Sequence, residues 1–199
     1  MTDMNYHYGA PAIGLLIFFI FLVGCTSTAP PPERTLGTIE PADLALQLSD
    51  LPAGFTIQEK WERARSEVRQ SAVDKGWKKG YHVMFRRLNE STLQVEYLTQ
   101  DIDVYPIETV NQALAQGNAE MLQRGEDAYQ VDQLPNPKIG DSSQAYSVKL
   151  MKKSKNINAR GLFIQFVKKD VYEQIVMLSV LEDYESLNEI AKIASAEIK

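Results

Sequence analysis

Few side chains in this sequence combine the type and the spacing that chemistry needs. Cys25 is the only cysteine, and it follows Leu22, Val23 and Gly24 at the end of an apolar run from Ala12 to Val23. A thiolate is the strong nucleophile available near neutral pH, so this position suits covalent attachment through sulfur. Secretory leaders are cut after small residues at such a point, and a lone cysteine there reads as a lipid attachment site. The plainer alternative is an uncleaved apolar N-terminus with a buried, inert thiol.

Asp101 and Asp103 flank Ile102 in a stretch of extended character, which aims both carboxylates to one side, about 6.8 Å apart. With Glu96 or Asp132 beside them they are a weak candidate for holding a hard cation such as calcium. They could also act as an acid and base pair in glycoside hydrolysis, or be no more than a solvated acidic strand end. His82 is the only histidine beyond His7, so a Ser-His-Asp device would have to use it, and no Gly-x-Ser-x-Gly elbow is present. A partly buried His82 with satisfied nitrogens is the expectation. A zinc site of the usual Cys/His spacing cannot be assembled. No catalytic residue, cofactor or cofactor-binding residue is assigned. Lys152, Lys153, Lys155 and Arg160 fall in a stretch without acids, which suits either a surface for anionic headgroups or an ordinary solvated loop. Asn89-Glu90-Ser91 fits the N-glycosylation acceptor pattern. Trp61 and Trp77 flank a charged segment and are expected to pack in the core or at its rim.

Residues 22–25 resemble the lipobox of prokaryotic lipoproteins, with Leu22 three before the cysteine, Val23 as filler and the small Gly24 just before it. The resemblance implies that Cys25 takes a diacylglyceryl group and becomes the first residue of the mature chain. Two acyl chains, at about 0.8 kcal/mol per buried methylene, make such anchoring lasting. The segment before the apolar core carries no Lys or Arg, so bacterial and archaeal processing both stay open. The implied organisation is a signal peptide over 1–24, a lipidated proline-rich tether over 25–38 and one domain over 39–199. Its location is the cell membrane, on the side away from the cytoplasm.

With the signal and tether removed, about 160 residues remain, one domain with a core large enough to need no disulfide. The 26 acidic and 21 basic residues argue against a nucleic-acid partner. Remaining partners are the membrane, through the lipid, and an unidentified protein or small ligand.

Periodicity and turn residues predict the elements that must position these side chains. A short helix is expected from Pro41 to Ser49, a strand from Phe55 to Glu59, and helical turns from Ser66 to Asp74 stopped by Gly76. Strands follow at Tyr81–Leu88 and Thr92–Tyr105. An amphipathic helix from Ile107 to Arg124 carries Ile107, Val110, Leu114 and Met121 on one stripe. Further strands are expected at Tyr129–Leu134, Gln144–Met151, Gly161–Val167 and Val171–Leu181, with Lys168-Lys169-Asp170 as a tight turn. A last helix from Tyr184 has Asp183 as its cap. This order is α+β: an antiparallel sheet of about six strands covered by helices on both faces.

Leu51-Pro52-Ala53-Gly54-Phe55, the run from Ile139 to Tyr146, and the Phe163–Val180 hairpin before a terminal helix resemble small lipoproteins of PsbP/Mog1-like fold. That resemblance implies an α/β/α sandwich used for binding or assembly. The expected function is a membrane-anchored, non-enzymatic module, with a metal- or carboxylate-dependent hydrolase of the cell envelope as the alternative.

Overall fold

The computed structural model describes residues 40–90, 93–124, 129–150, 160–179 and 183–199. Leu22, Val23, Gly24, Cys25, the tether, Lys152, Lys153 and Lys155 lie outside them. Seven strands form one sheet: β1 (Thr56–Arg63), β2 (Lys79–Asn89), β3 (Gln94–Val104), β4 (Tyr129–Gln133), β5 (Ser142–Leu150), β6 (Arg160–Lys168) and β7 (Val171–Ser179). Their order is β1-β2-β3-β7-β6-β5-β4, and every neighbouring pair is antiparallel. The mixed α+β architecture is as expected, whereas about six strands was an undercount. β1 also runs past Glu59 into Lys60–Arg63, because an edge strand exposed on both faces accepts charge without desolvation.

Directly opposed residues share a face of an antiparallel sheet. The register therefore puts Leu98, Ile102, Ile164, Phe166, Ile175 and Met177 on one face, and Asp101, Asp103, Phe163, Gln165, Tyr172 and Gln174 on the other.

The first face is the main core. Helix α3 (Tyr184–Glu197) covers it with Leu187, Ile190, Ala191 and Ala194, followed by Ile198. Fully burying a Leu or Ile side chain is worth roughly 1.5–3 kcal/mol, which is why this stripe docks the helix. Its start is capped as expected, with the Ser186 N–H donating to Asp183 Oδ1 at 2.9 Å. The N-terminal segment covers the same face, but as two 3₁₀ turns, Pro41–Leu44 and Leu48–Asp50, and not as one helix. Leu44, Ala45 and Leu46 are buried consecutively, which a single helix face cannot do, so the chain extends at Ala45. Beneath this segment the Leu46 N–H donates to Gln100 Oε1 and Gln100 Nε2 donates to Glu173 Oε2, both at 2.8 Å. Glu173 is fully buried, and its Oε1 has no partner among the described residues. Burial pushes its pKa up to about 8, with Gln100 and Lys168 only partly offsetting it.

The second face carries α1 (Gln70–Asp74) and α2 (Val110–Arg124), which pack Ala72, Val110, Ala113 and Leu114 around Trp77, Tyr105, Val167 and Tyr172. Helix α2 starts later than Ile107, whose side chain is exposed, because the Pro106 carbonyl accepts the N–H groups of Thr109 and Val110, each at 3.0 Å. The Gly140-Asp141 pair clamps the β6–β7 turn. Asp141 Oδ2 accepts the N–H of Lys169, the left-handed turn residue (φ 57°), at 2.7 Å. Gly140 (φ +62°) passes so near β6 that a Cβ would lie 2.3 Å from the Val167 carbonyl.

Candidate binding cleft

A cleft of about 240 Å³ opens on the second face between the Glu67–Lys75 segment and α2, over β3, β7 and β6. Alternation along the strands decides what reaches its floor. Asp101 and Asp103 do point to one side, as their spacing predicted, but each carboxylate is already engaged. Arg63 Nη1 donates to Asp103 Oδ1 at 2.8 Å and to Oδ2 at 2.6 Å, and the buried Trp77 Nε1 donates to Oδ1 at 2.7 Å. Gly80 stands opposite Asp103 on β2, and a Cβ there would fall 2.3 Å from Oδ1, so the missing side chain makes the room this carboxylate occupies. Burial pushes the Asp103 carboxyl upward while Arg63 and the Trp77 N–H pull it back. Burial also opposes the Arg63 charge, yet Asp103 and Asp101 together outweigh it and raise its pKa. The ion pair therefore holds as a unit.

Asp101 Oδ1 meets His82 Nδ1 at 2.7 Å, and the His82 ring packs on Trp61 with centroids 4.2 Å apart. Its Nε2 is buried without a partner among the described residues, so His82 is half satisfied and not fully so as expected. Trp77 is core and Trp61 is rim. At the mouth, Arg69 pairs with Glu120, and Gln116 bridges Ser71, Lys75 and Glu120. On the floor, Gln165 Nε2 donates to Gln174 Oε1 at 2.9 Å, while Gln165 Oε1 is buried and has no partner among the described residues. Gly117 lets α2 approach this point, since a Cβ would meet Tyr172 Oη at 2.9 Å and Gln165 Oε1 at 3.1 Å. Burial holds the phenols of Tyr105 and Tyr172 well above their usual range, leaving both as neutral hydroxyls.

The two side chains proposed to complete a cation site do not join it. Glu96 projects from the opposite face, where Arg87 Nε and Nη2 donate to its Oε2 at 2.8 and 2.6 Å. Asp132 lies on β4, separated from β3 by β7, β6 and β5. Among the described residues no group of three or more His, Cys, Asp or Glu side chains is placed to hold a metal ion. Asn89 ends β2, and its acceptor triplet runs into residues outside the description. Arg160 opens β6 opposite Lys149 and Ser179. Arg63, Gly80, Gln165, Gln174 and Gly117 were missed by sequence reasoning. Gln165 and Gln174 were signalled only as polar residues breaking otherwise apolar strands, and Arg63, Gly80 and Gly117 carried no signal of their own.

The fold is thus a mixed α+β domain on an open antiparallel sheet, with a polar cleft on one face. No family model matches the sequence, and no curated protein matches it. Among solved structures it is similar to the crystal structure of the extracellular domain of PknH from Mycobacterium tuberculosis. The two share 9% identity at a TM-score of 0.57, covering 78% of this chain and 93% of that one. At that identity the likeness concerns the fold alone. Among the described residues no helix is long and apolar enough to cross a membrane.

Proposed function

We propose that this chain is a lipid-anchored, extracytoplasmic domain that binds a small polar ligand or a protein segment in the cleft between α1 and α2, without catalysing a reaction. The cleft carries the reading. Arg63 with Asp103, and Arg69 with Glu120, neutralise one another in place, and Asp101 is engaged by His82. What the cleft offers a ligand is hydrogen bonding from amides and hydroxyls at Gln165, Gln174, Tyr105 and Tyr172 on the floor and Gln116 at the mouth, with Lys75 and Glu67 adding one charge of each sign to the lining. An unpaired buried acceptor such as Gln165 Oε1 costs about 1–3 kcal/mol, which a ligand donor would recover. That chemistry favours an uncharged, hydrogen-bonding ligand over a free anion or cation.

The anchor reading rests on Leu22, Val23, Gly24 and Cys25, with the apolar core before them and the proline-rich tether after them. The PsbP/Mog1-like resemblance of residues 51–199 supports a binding or assembly role, and the solved structure of similar fold is itself an extracellular domain. Native mass spectrometry of the chain extracted from its membrane tests the cleft. A small-molecule adduct retained by the parent and lost in Gln174→Ala is the expected result. An adduct of the same occupancy in both, or none in either, contradicts a ligand held on this floor.

A further inference from the structure

β1 is an outer strand of the sheet, and every residue from Thr56 to Glu62 is exposed. A long outer strand without proline presents a row of backbone donors and acceptors to any second strand. Its pairing with β2 is irregular between Ile57 and Glu59 and regular from Glu59 to Arg63. That regular part reads Glu59-Lys60-Trp61-Glu62-Arg63.

This pentapeptide is complementary to itself. Laid antiparallel on a second copy with Trp61 at the two-fold axis, Glu59 faces Arg63 and Lys60 faces Glu62, in both directions. Directly opposed residues share a face, so Lys60 and Glu62 meet as side chains and not only as sequence positions. All the charged pairs are of opposite sign. The nearest registers that keep each side chain on its own face put Lys60 against Lys60, or Glu62 against Glu62, on the two-fold axis, so like charges reject them. Glu59, Lys60 and Glu62 form no ion pair within their own chain among the described residues. The Arg63 guanidinium reaches inward over Gly80 to Asp103, away from the outer edge, so the charge complementarity across that edge is carried by the two Lys60–Glu62 pairs. Trp61, 39% exposed and seated on His82, would meet its own copy across the axis.

We propose that β1 pairs with β1 of a second copy of this chain, in an antiparallel edge-to-edge dimer centred on Trp61. The two seven-stranded sheets become one continuous sheet, and the long outer edge is closed by the chain itself.

Sedimentation of the full chain in density-matched detergent tests this, with circular dichroism as the check on folding. The parent is expected to dimerise as its concentration rises. Lys60→Glu or Glu62→Lys alone places like charges opposite one another twice per dimer, and association should weaken by about tenfold. The double variant Lys60→Glu/Glu62→Lys restores opposite signs and should restore association. Trp61→Cys should cross-link to itself on oxidation, above the background set by Cys25 in the parent. A parent that stays monomeric, a double variant no better than the single ones, or no cross-linking above the parent would overturn the proposal.

Discussion

Glu173→Gln should stabilise this protein at neutral and alkaline pH, by an amount that grows with pH. The carboxyl is fully buried, and its pKa stands at about 8 against an ordinary value of 4.5. Between those two values the folded chain binds a proton that the unfolded chain does not, so stability falls as pH rises and the loss is complete just above pH 8. At about 1.36 kcal/mol per pKa unit, the loss reaches about 5 kcal/mol in full and about 3 kcal/mol at pH 7. Glutamine cannot ionise and is nearly isosteric, and its carbonyl can still accept from Gln100 Nε2, which lies 2.8 Å from the carboxylate. Its amide carries two N–H donors where the carboxylic acid has one O–H, and the extra buried donor costs about 1 kcal/mol at every pH. Urea unfolding from pH 4.5 to 9 should therefore give two curves that lie close together at the acid end and diverge above it, with the variant the more stable at neutral and alkaline pH. Parallel curves would contradict this, because they would mean that Glu173 does not titrate late. So would a variant less stable than the parent at every pH, because Gln100 would then require a carboxylate.

Arg63→Ala leaves a buried carboxylate without its cation and should cost about 3 kcal/mol or more in urea unfolding, while Arg63→Ala/Asp103→Asn should recover much of that. Gly80→Ala drives a Cβ to 2.3 Å from Asp103 Oδ1 and 2.9 Å from the Ile102 carbonyl, and should cost about 1–3 kcal/mol and shift the Trp77 emission. Asp183→Ala removes the α3 cap and should cost about 1 kcal/mol by the same unfolding assay. Calcium, magnesium or manganese should leave the melting temperature unchanged, because Asp101 and Asp103 are each engaged by a basic side chain; a clear rise would restore the case for a cation site.

The parts of the fold legible in sequence are those decided by near neighbours. The Asp183 cap, the turn at Lys169-Asp170 and the apolar stripe of α3 each depend on residues a few positions apart, and each forms as expected. The N-terminal helix failed because Leu44, Ala45 and Leu46 are all drawn into the core, and burial outweighs helical periodicity. The cleft was not legible because its contacts join distant segments. Arg63 and Asp103 are 40 positions apart, and Trp77 reaches the same carboxylate from 26. Arg63 sits in a stretch whose alternating charges read as solvated surface. The shared face of Asp101 and Asp103 was visible from strand alternation, but their partners depend on the pairing of β1 with β2 and β2 with β3.

The proposed anchoring of this domain at the outer face of a membrane through Cys25 is decided by the mass of the mature N-terminus. Intact-mass and peptide analysis of the chain recovered from membranes should find Cys25 as the first residue, carrying a diacylglyceryl group. A chain that still begins at Met1, or one with an unmodified Cys25 thiol, would contradict it.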